Sequence, residues 1–249
     1  MAASKKTGGL AGVTAGKTEL CTVGQEGAGL TYRGYDIYDL VDHASFEEVA
    51  YLLLHGKLPT RAELDAYIAR LVTLRGLPDD LKTVLEMIPA DTHPMDVQRT
   101  GVSFLGNIEP EGDFANQADT ADRLLACLPS ILLYWHRFHT DGTRIDTTTD
   151  DDSVAGHFLH MLHDKPPSEL HRKCLDTTLI LYAEHEFNAS TFAGRVITGT
   201  LSDMHSAVTG AIGALRGPLH GGANEAAMEL IQQYDNADDA TKGIHEKLA

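Results

Sequence analysis

The sequence predicts a mainly α-helical fold with a small β-hairpin near the N-terminus. Apolar residues recur at helical spacing through most of the chain, as Leu175, Leu179 and Tyr182 illustrate. The sequence shows no internal repeat and no alternation of strands with helices of the kind that predicts a parallel sheet. At 249 residues and 43% hydrophobic content, the chain is long enough to bury one large core.

The N-terminal region contains two short runs that favour β-structure. They are "TELCTV" and "GLTYRGYDI", and a glycine-rich stretch, "GQEGAG", separates them. This pattern predicts a small hairpin. We expect residues 1–18 to form a flexible lead and residues 19–249 to belong to one large domain.

The rest of the chain contains a series of helix signals. Ser45 and Glu48 stand at capping-box spacing, and Thr60 and Glu63 repeat this pattern in a segment that we expect to end at Gly76. Further helices are predicted at 78–88, 94–105, 117–139 with a bend at Pro129, 153–163, 168–184, 190–199, 203–215, 224–234 and 239–248.

Composition excludes several classes of protein. The formal net charge of -16 argues against binding to nucleic acid or to anionic membranes. Three scattered cysteines without CxxC spacing indicate neither a disulfide framework nor a zinc knuckle, which favours a reducing compartment. The sequence contains no secretory signal pattern and no apolar run of the roughly 20 residues that a membrane span needs. We therefore expect a cytoplasmic protein.

A group of histidines in "GHFLHMLHD" raises the alternative of a metal-dependent hydrolase. His157, His160 and His163 follow one another at intervals of three, which places consecutive members near one helical face. The segment lacks the glutamate of an HExxH site, so we expect packing and surface histidines and no metal. The neighbouring run Asp150–Asp152 is interpreted as a surface loop whose final Asp or Ser caps the next helix.

Two other histidines stand at predicted helix ends. His185 and His220 are 35 residues apart, with two predicted helices of about 20 Å each between them. If these helices form a hairpin, with Gly199 as the stop and Ser202 as the next cap, the two imidazoles share one end of it. The glycine pair after His220 suggests a flexible turn that carries the histidine.

The neighbours of the two histidines add hydrogen-bonding groups. Asn188 and Ser190 lie in the turn after His185 and offer amide and hydroxyl groups to a carboxylate or to a second histidine. The helix predicted after His220 directs its unpaired N–H groups toward that residue, which favours a neutral imidazole able to donate to an enolate oxygen. The residues alone support carbonyl polarisation and a structural histidine pair equally.

Five motifs in order resemble the citrate synthase family, most of all its bacterial 2-methylcitrate synthase branch. They are "YRGYDI", "HGKLPT", "HPMDV", "LYAEHEFNASTFAGRV" and "GPLHGGANE". The last two are the most specific, and the resemblance extends over nearly the whole chain from about residue 9. It implies a mainly helical homodimer of a large and a small domain that closes over oxaloacetate before acyl-CoA binds.

The resemblance also implies roles for individual residues. His220 matches the histidine that polarises the thioester carbonyl of acetyl-CoA or propionyl-CoA, and Ser190 matches the serine that orients this histidine. His185 matches the histidine that holds oxaloacetate, with Asn188 beside it as a further substrate-binding residue. Acyl-CoA is a substrate in this family, and we expect no cofactor and no metal.

The sequence departs from the family pattern after His220. The second catalytic histidine in a "GFGH"-like motif, the catalytic aspartate and the later carboxylate-binding arginines have no counterparts here. We therefore expect residues 19–249 to be the N-terminal portion of the large domain, with the small CoA-binding domain largely absent. Exposed apolar helix faces, poor solubility and negligible synthase activity by itself should follow. The alternatives are a helical metal-dependent hydrolase and a non-catalytic helical dimerisation module.

Overall fold

The computed structural model describes residues 16–23 and 29–248, and in this part of the chain the fold is mainly helical, as predicted. Three short strands precede the helices. The helices are α1 Ile37–His43, α2 Phe46–His55, α3 Arg61–Thr73, α4 Asp79–Met87, α5 Pro94–Ile108, α6 Gln117–Asp141, α7 Val154–His163, α8 Glu169–Tyr182, α9 Ala189–Thr198, α10 Met204–Leu215, α11 Gly222–Ile231 and α12 Ala237–Leu248. Among the residues described, no helix is both long enough and apolar enough to span a bilayer.

The strands form an antiparallel sheet in the order β1 Cys21–Thr22, β2 Thr31–Tyr32 and β3 Tyr35–Asp36. Cys21 pairs with Tyr32, and Tyr32 pairs with Tyr35. The predicted pairing of the two runs is confirmed, but the second run contains a further tight turn at Arg33 and Gly34, both with positive φ. The sheet therefore has three strands instead of two, and α1 follows it where the sequence had indicated only strand.

The remaining helices follow the predicted segments with shifted ends. Both capping boxes form, at Ser45 with Glu48 and at Thr60 with Glu63. Helix α3 ends at Thr73 and not at Gly76, whereas α5 extends to Ile108 and α6 continues without interruption through Pro129. The predicted lead over residues 1–18 falls mostly outside the described residues.

Buried side chains form two apolar clusters that share the long helix α6. The first joins the β-sheet to helices α1, α2, α3 and α8, with Tyr32 and Leu52 fully buried. The second lies between α4, α5 and α6, and Leu85, Val102 and Ile131 are fully buried there. Burial at roughly 25 cal/mol per Å² of apolar surface makes these clusters the main stabilising contribution to the fold.

Helices α9 and α10 pack closely against each other, and α10 also packs against α5. The predicted turn between α9 and α10 forms, with Gly199 at the end of α9. The cap of α10 is Asp203 and not Ser202, because the Asp203 carboxylate accepts from the Ser206 N–H at 2.9 Å. Ser153 caps α7 through the Gly156 N–H, as the sequence predicted for the loop after the aspartate run.

Candidate active site

His220 lies in the turn between α10 and α11. Its own N–H donates to the Gly217 carbonyl at 3.0 Å, and the Gly221 N–H donates to the Leu215 carbonyl at 2.9 Å. Gly221 has φ of -62°, so the glycine is not needed for an unusual backbone angle, contrary to the flexible-turn interpretation. A Cβ at Gly221 would instead collide with the Leu215 carbonyl oxygen. The turn is therefore closely packed, and glycine is required for contact with backbone atoms.

Asn188 and Ser190 begin helix α9 on the other side of the site. The Asn188 side-chain oxygen accepts from the Thr191 N–H at 2.9 Å and from the Ser190 hydroxyl at 2.7 Å. Asn188 is thus the N-cap of α9, a position for which asparagine is among the best residues. Its predicted contact with substrate stays a prediction, while the structure gives it a capping contact that fixes Ser190.

Ser190 contacts the His220 imidazole directly. The Ser190 hydroxyl oxygen lies 2.9 Å from His220 Nε2, and the Ser190 backbone N–H donates to the same nitrogen at 3.3 Å. The backbone N–H can only donate, which favours a lone pair on Nε2 and the ring proton of the neutral imidazole on Nδ1. The Ser190 hydroxyl directs its one proton to Asn188 and can accept from an Nε2–H, so the two contacts favour opposite tautomers. In the described part of the chain Nδ1 has no hydrogen-bond partner. With the ring proton on Nδ1, this arrangement leaves an N–H donor for a ligand.

His185 lies in the turn that joins α8 to α9, and its side chain is exposed. The next residue, Glu186, has φ of 56°, and its N–H donates to the Glu184 carboxylate at 2.7 Å and to the Cys21 sulfur at 3.1 Å. Burial raises the pKa of the Cys21 thiol to about 11, so this group stays protonated. The N-terminal sheet therefore supports the turn that carries His185.

The start of α9 and the end of α10 lie together, as the predicted helical hairpin requires. His185 precedes α9, His220 follows α10, and the contact between Ser190 and His220 brings these ends together. The structure records no hydrogen bond between the two imidazoles in the part of the chain that it describes. His220, Ser190 and Asn188 form one connected group, and His185 lies in the adjoining turn.

The sequence did not predict a second set of polar contacts, which join the first turn of α5 to residues before and after His220. His93, the N-cap of α5, hydrogen-bonds through Nε2 to Glu225 in the first turn of α11. Asp96, one turn into α5, lies 3.4 Å from Arg216 at the end of α10. The motif "HPMDV" was recognised for its resemblance only, because no local pattern shows which distant residue a capping histidine contacts.

The histidines of α7 do not form a metal site. His157 is fully buried, and its two ring nitrogens lie 3.0 Å from the hydroxyls of Ser130 and Thr149. Burial lowers the pKa of His157 to about 3, so the ring is neutral. His160 pairs with Asp151 at 2.8 Å. Across residues 16–23 and 29–248 no three histidine, cysteine or carboxylate groups are arranged to hold a metal ion.

Comparisons with known proteins match this architecture to one family. The family model described as citrate synthase, C-terminal domain, matches residues 9–249. The chain is 64% identical over 247 residues to 2-methylcitrate synthase of Shewanella oneidensis, covering 99% of the chain and 66% of the relative. It is 43% identical over 242 residues to 2-methylcitrate synthase of Mycobacterium tuberculosis, covering 97% of the chain and 61% of the relative.

Solved structures give the same result for the fold. Citrate synthase of Thermotoga maritima superimposes with a TM-score of 0.84 at 31% identity, covering 96% of this chain and 64% of that one. A ternary complex of Thermoplasma acidophilum citrate synthase with carboxymethyl coenzyme A and oxaloacetate gives 0.83 at 31% identity, covering 90% and 60%.

The helical fold is that of citrate synthases, and the chain belongs to the citrate synthase family. Within that family, the two relatives described above are named 2-methylcitrate synthase. The chain spans slightly less than two thirds of the length of these relatives.

Proposed function

We propose that this chain contributes the carbonyl-polarising part of a condensing enzyme of the 2-methylcitrate or citrate synthase type. The reaction joins the α-carbon of propionyl-CoA or acetyl-CoA to the ketone of oxaloacetate, and hydrolysis of the thioester releases CoA. The single observation that carries the proposal is the contact between Ser190 and His220, whose backbone N–H donor we take to place the ring proton on Nδ1, a nitrogen without a hydrogen-bond partner among the described residues.

His220 acts as a hydrogen-bond donor in this proposal. A donor held in place before the reaction stabilises negative charge on a thioester oxygen as the α-proton leaves, without the cost of reorganising solvent. The Ser190 N–H fixes the tautomer, and Asn188 fixes Ser190. The base that takes the α-proton in the family is an aspartate, for which we identify no counterpart in these 249 residues.

His185 binds oxaloacetate in this proposal. Its side chain is exposed, and it lies five residues before Ser190, the residue that contacts His220. Its turn is fixed by the contacts of Glu184, Glu186 and Cys21, which limits the cost of ordering the side chain when a ligand binds.

The test measures the release of CoA from propionyl-CoA in the presence of oxaloacetate, using the product of the complete reading frame. We expect His220→Ala to lower kcat by about 10²- to 10⁴-fold, the usual contribution of a group that transfers or shares a proton. His185→Ala should mainly raise KM for oxaloacetate. The matched control is His43→Ala, an exposed histidine of α1. Full activity in His220→Ala would refute the proposal.

We propose propionyl-CoA as the preferred acyl substrate and the catabolism of propionate as the setting. Support comes from the relatives named 2-methylcitrate synthase, among them the one at 64% identity. One methylene in an apolar pocket changes binding by about 1–3 kcal/mol, so kcat/KM should favour propionyl-CoA by about 10- to 200-fold. Equal values of kcat/KM for the two thioesters would contradict this preference.

A cytoplasmic homodimer completes the proposal. Support for assembly comes from apolar side chains that remain exposed on α9 and α11, which in a soluble protein indicate a surface that is covered by something else. Sedimentation equilibrium on the product of the complete reading frame should give twice the mass of one chain. A monomer at micromolar concentration would contradict the assembly.

A further inference from the structure

The first turn of α5 contacts the chain on both sides of the His220 turn. Asp96 lies 3.4 Å from Arg216, which stands four residues before His220. His93 hydrogen-bonds to Glu225, which stands five residues after it. Asp96 itself is held by Arg99 at 2.9 Å, within α5. Two separate polar contacts therefore connect one rigid helix end to the two flanks of the turn.

The proton on His93 is placed by its capping contact. His93 Nδ1 accepts from the Met95 N–H at 3.1 Å, so this nitrogen carries no proton in the folded state. A neutral ring then holds its proton on Nε2 and donates it to the Glu225 carboxylate. The side chain of His93 is 21% exposed and that of Glu225 is 54% exposed, so water reaches this charge-assisted hydrogen bond from the side of the carboxylate.

Helix α11 depends on such contacts because apolar packing does little to fix it. None of its ten residues is buried, and Leu219 in the preceding turn is fully exposed. The turn itself is tight, with Gly221 against the Leu215 carbonyl, so a displacement of α11 moves His220 with it.

We propose that His93 and Asp96 are positioning residues, which hold the two flanks of the 217–221 turn and so keep the His220 imidazole in register with Ser190. The proposal rests on the proposed function in that His220 is taken as the hydrogen-bond donor to the substrate. Neither residue touches the substrate. Their effect is to maintain the tautomer that keeps the proton on His220 Nδ1.

The first test reads the tautomer of His220 directly, by NMR of the product of the complete reading frame with ¹⁵N-labelled histidine. His93→Asn retains a good N-cap for α5 but is too short to reach Glu225, and Glu225→Ala removes the same contact from the other side. In both variants we expect the population of the Nδ1–H tautomer to fall several-fold. Glu225→Gln should preserve it, because an amide oxygen still accepts from His93 Nε2.

The matched control is Glu229→Ala, an exposed glutamate one turn further along α11, which should leave the ring signals unchanged. An unchanged His220 tautomer in both His93→Asn and Glu225→Ala would overturn the proposal. If His93→Asn fails to fold, Glu225→Ala alone decides, since Glu225 is half-exposed.

The second test measures condensation kinetics in the product of the complete reading frame. Misplacement of a catalytic group by about 1 Å costs up to 10²-fold, so we expect kcat to fall about 10- to 100-fold in His93→Asn, with KM for oxaloacetate unchanged. Activity equal to that of the unaltered protein, together with an inactive His220→Ala, would refute the positioning effect. Full activity in His220→Ala would instead refute the proposed function. The NMR test would then still decide whether His93 and Glu225 control the tautomer of His220.

Discussion

Glu47 is a carboxyl group that the fold buries almost completely. It is 2% exposed, and its Oε1 accepts from the Val154 N–H at 2.7 Å at the start of α7. Burial raises the pKa of Glu47 from 4.5 to about 7, against the opposing effect of the Val154 hydrogen bond. Glu47 thus exchanges a proton near neutral pH in the folded protein.

This pKa predicts a loss of stability as pH rises. Between pH 4.5 and 7 the unfolded chain releases the Glu47 proton while the folded chain keeps it, so the free energy of unfolding falls across this window. Glu47→Gln keeps the oxygen that accepts from Val154 but cannot ionise. As pH rises from 5 to 8, we expect the free energy of unfolding of the variant to increase by on the order of 3 kcal/mol relative to that of the unaltered protein. Urea denaturation measures this difference.

The control for this prediction is the difference in stability between Glu47→Gln and the unaltered protein at low pH. At pH 4 both the folded and the unfolded states of the unaltered protein hold the Glu47 proton, so the two proteins should differ little there. A stability difference that stays constant from pH 4 to pH 8 would show that Glu47 does not change its protonation in this window.

The three cysteines differ in burial and therefore in reactivity. Cys174 is exposed on α8, whereas burial raises the pKa of Cys21 to about 11 and that of Cys127 to about 12. Because the thiolate is the reactive form, a disulfide reagent at pH 8 should modify Cys174 rapidly and the other two only after denaturation. Cys174→Ser should remove the rapid phase. Rapid modification of a second thiol in the native protein would contradict these burials.

At the residue scale, three residues that the sequence singled out lie together in the structure, and their role in a site stays a prediction. His220, Ser190 and Asn188 were found because their motifs are short and specific, and the structure places them in one hydrogen-bonded group. The partner of His93 lies 132 residues away, so no local pattern could reveal it. The burial of Glu47 could not be predicted either, because an acidic residue early in a helix normally faces solvent.

At the scale of elements, the turn before α11 depends on one of its two glycines. A Cβ at Gly221 would collide with the Leu215 carbonyl oxygen, whereas a Cβ at Gly222 would lie 3.3 Å from the Gly217 carbonyl. Gly221→Ala should therefore destabilise the protein by about 1–3 kcal/mol, the usual cost of overpacking, and displace the His220 ring.

Gly222→Ala is the matched control for that substitution. Gly222 is the first residue of α11, where alanine is a better helix former than glycine, and its neighbours need to move only slightly. Urea denaturation should show little change for Gly222→Ala. Equal loss of stability in the two variants would show that the close contact at Leu215 does not explain the glycine.

The sequence predicted eleven of the helices that the structure describes, but it did not predict their exact ends, and it did not predict α1. The capping boxes at Ser45 and Thr60 were correct because such signals are local. Helix α1 was missed because its seven residues follow directly on β3, without a separating turn signal. The cap of α10 moved by one residue to Asp203, since both Ser202 and Asp203 are good N-cap residues and only the packing of the turn distinguishes them.

At the scale of the whole molecule, apolar burial is unevenly distributed along the chain. Helices α1 to α8 contribute almost all of the two apolar clusters, whereas α9 and α11 contain no buried residue. Large apolar side chains are exposed in this second region, namely Val196, Leu201, Leu219, Met228 and Ile231. The sequence-based expectation of uncovered helix faces agrees with this distribution.

These exposed side chains predict that the chain of 249 residues associates with itself. Burial of apolar surface stabilises a contact by about 25 cal/mol per Å², so we expect contact between copies through the exposed side chains of α9 and α11 to be favourable. We expect the mean mass measured by light scattering to rise with concentration. The double substitution Val196→Ser and Ile231→Ser should suppress the rise, because these side chains are 55% and 65% exposed.

Met87→Ser tests whether the association of copies depends on α9 and α11 or on exposed apolar area in general. Met87 is 78% exposed at the end of α4, away from α9 and α11 in the sequence, and its substitution removes a similar apolar area. If exposed apolar area anywhere on the surface caused the association, Met87→Ser would suppress it as strongly as one of the other substitutions. We expect no change in Met87→Ser, since Met87 lies on α4 and on neither of the two helices through which we expect copies to meet. Suppression by Met87→Ser alone, or persistence in the double variant, would show that α9 and α11 are not the surface through which copies of the chain meet.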